Sequence, residues 1–104
     1  MSQKDMESEG GLATEKRTKL KKPRPYKVLL WNDDYTTMEF VVKVLESIFR
    51  HPPSRATQIM LHIHTRGRGV AGVYTLDIAE TRAKQVTQLA RQSGHPLKVT
   101  TEPE

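Results

Sequence analysis

Between residues 26 and 50 the spacing of apolar side chains changes from every second position to every third or fourth, and few folds accommodate that switch. In the segment Tyr-Lys-Val-Leu-Leu-Trp, residues 26–31, Tyr26, Val28 and Leu30 fall on one face of an extended strand. Over residues 37–50, Met38, Val41, Val42, Leu45, Ile48 and Phe49 recur at helical spacing, a stripe that needs a sheet or a second helix against it. Neither surface can be left in water, so the helix must fold back over the sheet that contains the strand. At the junction stands Asn32-Asp33-Asp34-Tyr35-Thr36, an amide and two carboxylates. Thr36 and Glu39 match a T-x-x-E capping box, which predicts a loop held at the helix start. An acidic loop fixed in this way suits a cationic guest.

The rest of the chain repeats this grammar. His51-Pro52-Pro53 ends the first helix, and Ser54 is placed to cap a second one running to about residue 64, with Ala56, Ile59, Met60 and Ile63 as its apolar face. Gly67 and Gly69 release the chain into a β-branched strand over residues 70–75. Asp77 and Glu80 repeat the cap signal for a third helix that stops at Gly94 and Pro96, and residues 97–101 alternate as a last strand. The order β-α-α-β-α-β predicts an α/β fold of the α+β sandwich kind: a three-stranded, mainly antiparallel sheet with three helices on one face and the other face partly wet. If the first two helices both pack on the sheet, Asn32 and Asp33 come close to His64.

Residues 1–24 read as a disordered arm. Met6, Leu12 and Leu20 are its sizeable apolar groups, too few to offset the entropy of ordering, and its end is basic through Lys16, Arg17, Lys19, Lys21, Lys22 and Arg24. Residues 25–104 form the core domain, too small for a deep catalytic cleft, so a ligand is expected in a shallow surface pocket. The absence of cysteine removes disulfides, a thiolate nucleophile and sulfur-ligated zinc. With no signal-peptide core and no run near the roughly 18 apolar residues of a membrane span, the expectation is a cytoplasmic protein without a membrane partner.

Each candidate has a plainer reading beside it. Asn and Asp are also the usual residues of a turn that starts a helix, and residue type alone leaves that open. His62 and His64 would share a face in a strand, but in a helix they stand about 200° apart, which argues against a metal pair. His64 could instead interact with the free carbonyls at the helix end. Arg66-Gly67-Arg68-Gly69, the basic arm and a formal charge of +5 admit an RNA- or ribosome-associated domain. No aromatic residues alternate with those cations, so that signal is electrostatic only. No nucleophile, base and orienting group coincide, so no enzyme and no cofactor are expected.

In combination and order, Tyr26-Lys27-Val28-Leu29-Leu30, the Asn32 to Thr36 loop, Met38-Glu39-Phe40-Val41, Ala56-Thr57-Gln58-Ile59-Met60-Leu61, His64, Gly72-Val73-Tyr74-Thr75 and Ala79-Glu80-Thr81 resemble the ClpS adaptor family. The resemblance spans about residues 25–102. It implies an adaptor that recognises proteins by an N-terminal Leu, Phe, Tyr or Trp and hands them to ClpA, the AAA+ unfoldase of the ClpAP protease; a monomer without a nucleic-acid partner is expected. It assigns the substrate's α-amino group to Asn32, Asp33 and His64, with Asp34 beside them as a second loop carboxylate. It assigns the apolar pocket to Thr36, Met38, Val41, Met60, Ile63 and Leu97, and the unfoldase contact to Asp77 and Arg82, where the family usually has Glu and Lys. Thr37 stands where the family commonly has Pro, keeping the first helical position without its fixed φ. Trp31 replaces a smaller aliphatic, and Ile63 a frequent Val.

The chemistry is coherent apart from the resemblance. An α-ammonium spreads three N–H donors, and an amide oxygen, a carboxylate and a neutral imidazole nitrogen are three acceptors for them. An internal peptide nitrogen has one donor and no charge, so it would leave such acceptors unpaired at about 1–3 kcal/mol each.

Overall fold

The computed structural model describes residues 23–104. The predicted arm falls outside these residues except for Pro23 and Arg24, which precede the first strand. The element order is β1 (Tyr26–Trp31), α1 (Met38–Ser47), α2 (Pro53–Arg66), β2 (Arg68–Tyr74), α3 (Leu76–Gln92) and β3 (Lys98–Pro103), which is the predicted order. β1 lies in the centre of a three-stranded sheet, antiparallel to β2 on one side and to β3 on the other.

Val28 and Leu30 are fully buried under the helices, and they share that core with Val44, Leu45, Ala56, Ile63, Ala79, Val86 and Ala90. Alternation turns Leu29 to the other face, yet it is only 4% exposed. Its neighbours across the two ladders are Val70 and Thr100. On the same face the Trp31 ring lies between the Arg68 guanidinium at 5.1 Å and the Lys98 ammonium at 4.8 Å, and its Nε1 donates to Thr100 Oγ1 at 2.8 Å. The central strand is thus shielded on both faces, on one of them without a helix.

The register of β2 shifts between Val28↔Gly72 and Leu29↔Val70, so Ala71 drops out of the ladder as a bulge. Its carbonyl accepts a hydrogen bond from His51 Nε2 at 2.6 Å, which requires the proton on that nitrogen. His51, read in the sequence only as a helix stop, therefore pins the α1–α2 turn to the sheet.

Several helix boundaries differ from the sequence expectation, each for a physical reason. The N-cap of α1 is Thr37, whose hydroxyl accepts from the Phe40 amide at 3.1 Å, and not Thr36. Thr37 is therefore neither a first helical residue nor a weakened substitute for Pro, because it supplies the cap itself. The buried face of α1 is Phe40, Val41, Val44 and Leu45, rotated from the predicted stripe, while Met38 is 43% exposed. α2 is capped by Pro52 with Pro53 in its first turn, so Ser54 lies inside the helix. Its predicted apolar face, Ala56, Ile59, Met60 and Ile63, is the buried one. α3 starts after Thr75, and Asp77 sits in its first turn, where a negative charge suits the helix dipole.

Candidate functional site

Asp33 organises the loop after β1. Its Oδ1 accepts from the backbone amides of Tyr35 at 2.8 Å and Thr36 at 2.7 Å, and its Oδ2 accepts from Thr36 Oγ1 at 2.7 Å. This is an Asx turn tightened by a hydroxyl, and it explains why Thr36 does not cap α1: its side chain is committed to Asp33. Partial burial works to raise the Asp33 pKa, but the Thr36 hydroxyl, the Tyr35 and Thr36 amides and the charge of His95 outweigh it. The carboxyl therefore stays below its ordinary range and carries a full negative charge at neutral pH.

The start of this loop is tied to the end of α2. Gly67 caps α2 in the left-handed region at φ 91°, and its carbonyl accepts from the Asn32 amide at 2.8 Å. His64 lies in the last turn of the same helix. One backbone hydrogen bond thus brings the β1–α1 loop to the His64 end of α2, the approach expected from packing alone.

Between them opens a cavity of about 500 Å³. Asn32, Asp33, Asp34 and His64 form its polar side. Met38, Val41, Met60 and Ile63 form its apolar side, with Thr36 at the junction. Val41, Met60 and Ile63 are buried core residues that present an edge to the cavity, whereas Met38 is half open to solvent at its mouth. The sequence missed Thr37 and Glu39, which also line it. The T-x-x-E pattern marks Glu39 only as a capping acid, and the signal for its place at the cavity is its position in the first turn of α1, directly after an acidic loop.

Leu97, assigned to the pocket by resemblance, is 1% exposed within the core and is not among the residues that line the open cavity. Its carbonyl accepts from Arg91 Nη1 at 3.3 Å, which holds the turn into β3. Asp77 lines a separate shallow groove along α3 with Glu80 and Lys84. Arg82 is not in that groove, since its guanidinium lies 5.9 Å over the Tyr74 ring and its Nη1 donates to Gln85 Oε1 at 3.3 Å. Arg68, the second cation of the basic pair, is engaged with Trp31. Among the described residues no group of three acidic or His side chains could hold a metal ion, and no helix is long and apolar enough to cross a membrane.

An acceptor-lined, negatively charged rim beside an apolar cavity can hold a small cation that carries an apolar substituent. Comparison with known proteins points the same way. The family model described as ATP-dependent Clp protease adaptor protein ClpS matches residues 21–100. The chain is 56% identical over 97 residues to the ATP-dependent Clp protease adapter protein ClpS of Deinococcus radiodurans, covering 93% of this chain and 86% of the relative. It is 52% identical over 104 residues to that of Desulfatibacillum aliphaticivorans, covering 100% of both. The solved structure of Agrobacterium tumefaciens ClpS2 bound to L-phenylalaninamide is similar with a TM-score of 0.77 and 47% identity, covering 80% of this chain and 100% of that one. On sequence and fold together, the chain belongs to the ClpS family of ATP-dependent Clp protease adaptors.

Proposed function

We propose that this protein binds the free N-terminus of proteins that begin with Leu, Phe, Tyr or Trp and delivers them to the ClpA unfoldase of ClpAP. The observation that carries the reading is the common cavity of the acceptors Asn32, Asp33 and His64 and the apolar groups Met38, Val41, Met60 and Ile63. An α-amino group and the first side chain leave the same carbon, so their receptors must be adjacent. L-Phenylalaninamide, bound by the Agrobacterium ClpS2, has this chemistry: a free amine and an apolar benzyl side chain on one carbon.

The roles divide by geometry. Asp33 already accepts three hydrogen bonds within the loop, so it acts on the ammonium chiefly through its charge. The Asn32 side-chain oxygen and a neutral His64 nitrogen are the direct acceptors, with Asp34 adding charge at the rim. Thioethers adapt to aliphatic and aromatic guests alike, whereas the branched Val41 and Ile63 walls disfavour β-branched ones. One buried side chain contributes roughly 1.5–3 kcal/mol and each charge-assisted hydrogen bond about 1.5–3 kcal/mol. After an association cost of at least 4 kcal/mol, the expected Kd is on the order of micromolar.

Fluorescent peptides test the binding half. Leu- and Phe-initiated peptides should bind at least tenfold (about 1.4 kcal/mol) more tightly than N-acetylated copies, and equal affinities would remove the reading. ClpAP with a Leu-initiated reporter tests the delivery half. The protein should accelerate its degradation, and Asp77→Lys, on the α3 groove, should slow that delivery; no acceleration by the unaltered protein would rule delivery out.

A further inference from the structure

The turn between α3 and β3, which the sequence marks only as a helix stop at Gly94 and Pro96, touches the loop that carries Asp33. Its contact residue is His95. The backbone there is firmly held: Gly94 adopts φ 80°, the His95 amide donates to Ala90 O at 2.8 Å, and its carbonyl accepts from Arg91 Nη1 at 2.8 Å. The imidazole centroid lies 4.4 Å from that of Phe40, a buried residue in the first turn of α1. Its Nδ1 is 3.4 Å from the Tyr35 carbonyl. A carbonyl only accepts, so the contact requires the proton on Nδ1.

The bonds that Asp33 makes fix the shape of its turn but not the direction in which the turn faces. Direction must come from outside. At one end it is set by the Asn32 amide on Gly67 O, and at the other by the Thr37 cap of α1. In the middle stands Tyr35, whose side chain is 79% exposed and offers little packing. The contact that reaches this middle residue comes from His95.

We propose that His95 is a positioning residue for the α-amino site: seated on Phe40 with Nδ1–H on the Tyr35 carbonyl, it holds the Asp33 turn so that its acceptors face the ammonium. This rests on the adaptor reading above. The apolar side of the cavity is built by α1 and α2 and does not depend on the contact. His95 therefore acts on recognition of the free amine and leaves recognition of the side chain alone.

The experiment measures two ratios in the full-length protein: affinity for a Leu-initiated peptide over its N-acetylated copy, and over an Ala-initiated peptide. His95→Phe keeps a ring on Phe40 but removes the donor, and should reduce the first ratio about fivefold while the second and the melting temperature hold. His95→Asn places an amide nitrogen where Nδ1 was and should recover part of the first ratio. An unchanged first ratio in His95→Phe overturns the proposal, as does a loss that appears equally in both ratios, since that is the mark of general loosening. A wild-type protein that does not distinguish free from acetylated peptide removes the adaptor reading itself, and the role of His95 with it.

Discussion

At the polar end of the cavity the binding groups sit on a short loop and a helix terminus, largely exposed, with a shape set by hydrogen bonds that the Asp33 carboxylate and the Gly67 carbonyl accept. At the apolar end Val41, Met60 and Ile63 are core residues that line the cavity with one edge and hold α1 and α2 together with the rest. The difference teaches that binding and stability are separable at one end and fused at the other. Substitutions at the polar end should read out recognition, and those at the apolar end should read out folding first.

The largest effect is expected at the fused end. Met60 is 9% exposed, so Met60→Ala removes a core side chain as well as a pocket wall, and should cost about 2–5 kcal/mol of stability in denaturant unfolding. Peptide affinity should fall with it. A loss of affinity with stability within about 0.5 kcal/mol would show that the apolar wall is independent of the core and would break the comparison.

At the separable end, Asp33→Asn removes the charge that complements an ammonium while keeping an oxygen for the turn. Affinity for a Leu-initiated peptide should fall roughly 30-fold, about 2 kcal/mol, with the loss of the full negative charge beside the ammonium. His64→Ala should follow at about tenfold, with stability within about 0.5 kcal/mol because the side chain is exposed on α2. A His64→Ala protein that unfolds as readily as Met60→Ala would place His64 in the scaffold and not at the site.

The same contrast explains what the sequence made legible. β1 and the buried face of α2 were readable because their periodicity is local and unambiguous. The meeting of Asn32 with His64 followed from packing two adjacent helices on one sheet. The buried face of α1 was not readable, since Phe40 and Val44 form as good a stripe as the predicted one and tertiary contacts decide between them. Thr36 and Thr37 are both competent caps, and the choice is made by the carboxylate of Asp33, which takes one hydroxyl and leaves the other. The Ala71 bulge with its His51 partner and the contact from His95 depend on chain segments 20 and 60 residues away, beyond the reach of any local pattern.

The smallest effect, and the one that sharpens the comparison most, is acid titration of the loop. The folded-state pKa of Asp33 is depressed by the Thr36 hydroxyl, the loop amides and the charge of His95, against the opposing pull of burial. A carboxyl with a lowered folded pKa contributes stability that is fully present above its unfolded value, near 4, and is lost as pH falls through the folded one. The wild-type advantage in melting temperature over Asp33→Asn should therefore be present at about pH 5 and shrink as pH drops below about 4. Met60→Ala, which lacks no titrating group, should keep a pH-independent deficit over the same range. An Asp33 advantage that persists unchanged at the lowest pH would mean that the turn is held by shape and not by charge, and the polar end would then be built by packing like the apolar one.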